Sequence, residues 1–172
     1  QEALQTRGSV SLYQGSTRPI HIAPAYCSDA NANELAHVAL RPPAGTVIYK
    51  YGSRSFVGGF QLASGESVAL KYYFPKSIIK KANYSLRGSR CEQSWLGSIG
   101  LLFLGIPTPH PLAKLEIKSF GGVLNQQSFL ATKTAHGIPL HRFYSENRDN
   151  SALIEKVRTS LTSAFDTMAE YR

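Results

Sequence analysis

The sequence predicts an α+β fold: a five-stranded antiparallel sheet with one packed helix, then a connecting segment and a long helix. Three observations carry this expectation. Between Thr46 and Phe74 the runs TVIYKY, SFVGGFQL and SVALKYYF are rich in branched and aromatic residues and are separated by the turn formers Gly52-Ser53-Arg54 and Ser64-Gly65, the pattern of an antiparallel meander. In residues 89–104, Trp95, Ile99, Leu102 and Phe103 recur at helical spacing, which predicts a helix laying one face on the sheet. Leu153, Val157, Leu161, Phe165 and Met168 repeat near the 3.6-residue period through 150–171, the mark of the long helix.

The remaining elements follow in chain order. The first 45 residues are polar and form an extension, in which Ser28-Asp29 supplies an N-cap for a short helix ending near Leu40 before Pro42-Pro43. Residues 46–134 hold the sheet and its helix. After the meander comes a basic stretch, Lys76 to Arg90. The segment GIPTPHP ends the helix, because the prolines at 107, 109 and 111 cannot continue it. Strands are predicted over 112–120 and 127–133. Residues 135–172 then leave the sheet and enter the long helix.

Composition limits the function classes. The 172 residues are 42% hydrophobic and 17% charged, a globular rather than a disordered balance. A formal charge of +8, with a sequence pI near 9.6, favours an anionic partner: phosphate, nucleic acid or a membrane surface. Two cysteines, Cys27 and Cys91, make no disulfide framework, so a reducing compartment is the simpler expectation. The longest apolar run, IGLLFLGI from Ile99 to Ile106, is too short to cross a bilayer. The chain starts at Gln1 and stops at Arg172 within a predicted helix, and is expected to be a piece of a longer protein.

Lys71 stands in the middle of SVALKYYF. A lysine there either snorkels into water from an edge strand or meets a partner. The kinase glycine-rich pattern laid on KYGSRSFV, residues 50–57, matches only Gly52 and Val57. Fourteen residues after Val57 comes Lys71 in V-A-L-K, which resembles the V-A-I-K strand of kinases, and twenty-one residues later comes Glu92 in the helix. A triphosphate needs a cation fixed on a rigid strand, and that lysine needs a carboxylate to aim it and offset its desolvation. The order of elements and of these residues is that of a protein-kinase-like amino-terminal lobe running into its second lobe.

The segment LRGSRCEQSWLGSIGLLFLGIPTPHPLAKLE resembles the lipopolysaccharide core kinases, the Kdo/WaaP family, in which a basic R-G-S-R enters the helix and a G-I-P-T-P-x-P turn leaves it. The resemblance runs from about Val47 to Arg172. It implies an ATP-dependent sugar kinase that phosphorylates heptose or 3-deoxy-manno-octulosonate of the lipid A core, cytoplasmic and peripheral at the inner membrane. It implies that Phe129 to Thr134 is the hinge strand, with Thr132 and Thr134 offering backbone groups to adenine. Gly52, Ser53, Val57, Lys71 and Glu92 complete the expected ATP residues. The family's helix glutamate would fall at Ser94, two residues after Glu92, yet Glu92 is the one acid in that helix. The catalytic aspartate and the Mg2+ ligands are expected beyond Arg172, so this part holds the nucleotide without completing phosphoryl transfer.

Other readings accompany this one. A small-molecule kinase of the aminoglycoside or choline type shares the fold, and a non-catalytic pseudokinase would bind an anionic membrane or partner through the basic stretch. A nucleic-acid module fits the charge but lacks a recognised motif. Lys76, Lys80, Lys81 and Arg87 are expected to be exposed as the surface facing an anionic membrane and acceptor, or else to be a solvated basic face. His136 and His141 lie five apart across a Gly-x-Pro turn, which with His110 is no metal-ligand spacing. Cys91 reads as a small core-facing residue rather than a nucleophile.

Overall fold

A computed structural model describes residues 10–12, 20–23, 29–75, 77, 79, 81, 83–84, 88–119 and 124–171. In these, seven strands and four helices succeed one another: β1 (Val10–Leu12), β2 (Ile20–Ile22), α1 (Asp29–Leu40), β3 (Val47–Gly52), β4 (Ser55–Gln61), β5 (Ser67–Tyr73), α2 (Arg90–Phe103), β6 (Pro111–Ser119), β7 (Leu124–Lys133), α3 (Leu140–Glu146) and α4 (Ser151–Glu170). The strands form one open sheet in the order β1-β2-β6-β7-β5-β4-β3, and every neighbouring pair is antiparallel.

The α+β class holds, and the five-strand expectation is corrected to seven. The two additional strands come from the segment expected to stand as an extension: β2 pairs with β6 through Ile20↔Leu115 and Ile22↔Ala113, and β1 adds to β2. At three residues each, VSL and IHI, they are too short to display an alternating pattern. A non-local partner, not local periodicity, makes them strands.

The expectation of a single packed helix is also corrected. Ala32, Leu35, Val38 and Ala39 of α1 join Val68, Leu70 and Tyr72 of β5 and Phe129 and Ala131 of β7 in the larger core. Because side chains alternate along a strand, Tyr73 and Leu130 point the other way, and they pack with Cys91 and Trp95 of α2 in a second, smaller cluster. The sheet therefore carries α1 on one face and α2 on the other. Tyr72 anchors the α1 side: its hydroxyl donates to the Val38 carbonyl, and its ring meets Phe56 at 5.6 Å and Phe129 at 5.0 Å between centroids. Burial without a charged neighbour pushes its phenol pKa well up, so it stays a donor. On α2, Phe103 is exposed, so the packed stripe is Cys91, Trp95 and Ile99, a regular i, i+4 series.

The contacts divide the chain into two compact units, residues 1–99 with 109–134, and residues 100–108 with 135–172. The first contains the whole sheet. The second contains α3 and α4, neither of which buries a residue.

Candidate anion-binding site

Cross-strand register places the chemistry on the α2 face of the sheet. One row runs Lys50, Val57, Lys71, Leu130, Lys114, His21 across β3, β4, β5, β7, β6 and β2. Three lysines thus share one row on one face. The neighbouring row holds Ser55, Tyr73, Ser128 and Glu116.

Helix α2 sorts these lysines into two environments. Its start is fixed by Ser89, whose hydroxyl accepts the Glu92 N–H at 3.0 Å and donates to the Glu116 carboxylate, so Ser89 is both the helix cap and a tether to β6. From that start, Cys91 and Trp95 point down onto the sheet. Glu92 turns toward β6 and pairs with Lys114, which also lies over the Trp95 ring at 5.6 Å. Arg90, Gln93 and Ser94 turn toward the other end of the row. There they close a cavity of about 530 Å³ whose remaining lining is Lys50, Ser55, Val57, Lys71 and Tyr73.

This arrangement overturns the pairing expected between Lys71 and Glu92. Two residues of helix, about 200°, separate Glu92 from Ser94, and it is Ser94 that reaches the Lys71 cavity. The carboxylate goes to Lys114 instead. Lys71 is half-buried, with Nζ 5.1 Å from the centre of the Tyr73 ring, and the Tyr73 hydroxyl lies 3.3 Å from Ser94 Oγ. Among the described residues no carboxylate pairs with Lys71, Lys50 or Arg90. Among the described residues the lining thus holds three cations and no acid.

The other expected ATP residues divide. Val57 lies beside Lys71 in the cavity wall. Gly52 closes the β3–β4 hairpin opposite Ser55, with Ser53 in its turn, but neither lines the cavity. Gly52 lies outside the positive-φ set, and an added Cβ would meet the Ser55 carbonyl oxygen at an ordinary 3.6 Å. A side chain at this position would therefore strain neither the backbone nor its neighbours. Thr132 sits within the ladder, opposite Ala69 of β5 and Pro111 of β6. The Thr134 N–H is already donated to the Ser67 carbonyl at 3.1 Å, which removes it as an adenine donor. What Thr134 retains is a buried hydroxyl with no hydrogen-bond partner among the described residues.

In the basic stretch, Lys76, Lys80 and Arg87 lie outside the described residues. Lys81, expected to be exposed, is half-buried, and its ammonium donates to the Gln126 side chain. Cys91 is fully buried with its thiol donating to the Phe129 carbonyl at 2.9 Å, and burial drives its pKa up, out of nucleophile range. Cys27 is outside the described residues. Among the described residues no three His, Cys, Asp or Glu side chains gather as a metal site.

Arg90 and Lys50 are the site residues that spacing alone did not identify. Lys50 stood in the laid-over glycine pattern, and its role appears only once the register sets it beside Val57. Arg90 stood in the R-G-S-R run, where it read as one more surface charge. Compared with known proteins, the chain matches no protein-family model, no curated protein and no solved structure.

Proposed function

We propose that this chain is the nucleotide-binding part of an ATP-dependent phosphotransferase of protein-kinase-like fold, acting on a sugar hydroxyl of the lipopolysaccharide core. The observation that supports it most is Lys71: a strand lysine in V-A-L-K, facing a helix, in a cavity whose described lining holds no acid. A phosphate chain is the complement of such a lining. Tyr73 supports the reading by holding a ring face under the Lys71 ammonium, which keeps the charge aimed at the cavity without neutralising it. The cavity residues fit the phosphates of ATP. They do not fit Mg2+, which takes carboxylate and phosphate oxygens, so its ligands belong to another part of the protein. The proposed location is peripheral at the inner membrane; no described helix is long and apolar enough to cross a membrane.

The test is nucleotide affinity and turnover of Lys71→Ala. By calorimetry, ATP binding should weaken by roughly tenfold or more, the loss of one charge-assisted contact. In the full-length protein, phosphate transfer to a core sugar should fall by on the order of a hundredfold, with the circular dichroism spectrum unchanged. Equal ATP affinity in the two proteins would remove the reading's main support.

A further inference from the structure

A strand lysine that holds phosphate ordinarily has a carboxylate to orient it, and here the helix carboxylate is committed elsewhere. Glu92 is paired with Lys114, itself 8% exposed and lying over the Trp95 ring. Releasing Glu92 toward Lys71 would leave the Lys114 charge buried and unpaired, a costly exchange. Three cations therefore converge on one cavity from three elements: Lys50 from β3, Lys71 from β5 and Arg90 from the first turn of α2. Held together without a counter-charge they repel one another, and a multiply charged anion relieves that repulsion.

We infer that Arg90 and Lys50 bind the phosphate chain directly alongside Lys71, making the cavity a three-cation polyphosphate site in which the ligand itself supplies the missing counter-charge. This rests on the nucleotide reading for the identity of the ligand, but the three-cation site stands on the lining alone. Arg90 contributes what a lysine does not: a planar fork that donates two parallel hydrogen bonds to phosphate oxygens. Ser55, Gln93 and Ser94 supply neutral donors around it. Lys50 sits across Val57 from Lys71, two strand spacings away, roughly 10 Å by the usual interstrand distance. A single orthophosphate offers these three cations less charge and fewer oxygens than a chain of two or three phosphates does.

The experiment measures affinity for sodium tripolyphosphate, pyrophosphate and orthophosphate in magnesium-free buffer by calorimetry, with ATP and adenosine alongside, for the unaltered chain, Arg90→Gln, Lys50→Gln and Lys71→Ala. Arg90 and Lys50 are exposed, so their replacement leaves the fold intact, and thermal melts check this. Affinity should rise from orthophosphate to tripolyphosphate. Each Gln variant should lose roughly tenfold for tripolyphosphate, and the loss should shrink at high salt. ATP binding that is unchanged in Arg90→Gln and Lys50→Gln but weakened in Lys71→Ala overturns the three-cation site and leaves the nucleotide reading standing. Tripolyphosphate bound as tightly as ATP, with adenosine contributing nothing, keeps the three-cation site and overturns the nucleotide reading. Tripolyphosphate bound no better than orthophosphate overturns the site.

Discussion

His21 shows how one side chain senses the polar layer beneath α2. It stands beside Lys114 in the cross-strand row, and burial together with the Lys114 charge lowers its pKa below the ordinary 6.5, against smaller opposing effects of Glu92 and Glu116. A histidine whose folded pKa is depressed binds its proton more readily in the unfolded chain, so stability is full above the unfolded value and is lost as pH falls from 6.5 toward the folded value. Urea melts between pH 7.5 and 5.5 should show this decline, and His21→Gln should flatten it. Parallel curves for the two proteins would mean that other groups set the acid side. Lys71 makes the complementary point. Its V-A-L-K context marked it for a role, but which charge it meets depends on the phase of a helix twenty residues away.

At the scale of the element, α2 is the part whose placement decides the site. Ser89 caps it and simultaneously donates to Glu116 of β6, so the same hydroxyl starts the helix and sets its rotation on the sheet. Rotation in turn assigns Glu92 to Lys114 and Arg90 to the cavity. Ser89→Ala should destabilise the chain by about 1 to 2 kcal/mol in chemical denaturation, the usual cost of a lost N-cap, and should also weaken tripolyphosphate binding because Arg90 loses its fixed origin. A destabilised protein with unaltered affinity would separate the cap from the site. The helix was legible in the sequence, but its inward face was only half so. Trp95 and Ile99 pack as their spacing predicts and Cys91 is buried as its core-facing reading expects, whereas Phe103 is exposed.

For the whole molecule, stability is expected to be uneven. The central strands β5 and β7 carry the side chains of both clusters, while α4 has no buried residue over its twenty. Hydrogen exchange should therefore show amides of β5 and β7 protected to the level of global unfolding and amides of α4 exchanging by smaller openings, about tenfold faster or more. Uniform protection through both would mean a single cooperative unit. The outer edge is uneven too: Val47, Ile48, Tyr49 and Tyr51 of β3 are all exposed, so this strand is held by its pairing with β4 and not by a core.

From Val47 onward the sequence marked the strands, α2 and α4, because periodicity, turn residues and prolines act locally, but it did not mark the short α3. It also marked Lys71 and Val57, whose context is carried within a few residues. Tertiary structure alone decided that β1 and β2 extend the sheet, since a three-residue strand exists only through its partner. It decided that α1 packs into the larger core, where small residues such as Ala32 and Ala39 bury without a strong apolar signature. It decided, finally, that Glu92 serves Lys114 while Arg90 and Lys50 join Lys71. A charge finds its partner through register and helix phase, which depend on residues distant in the chain.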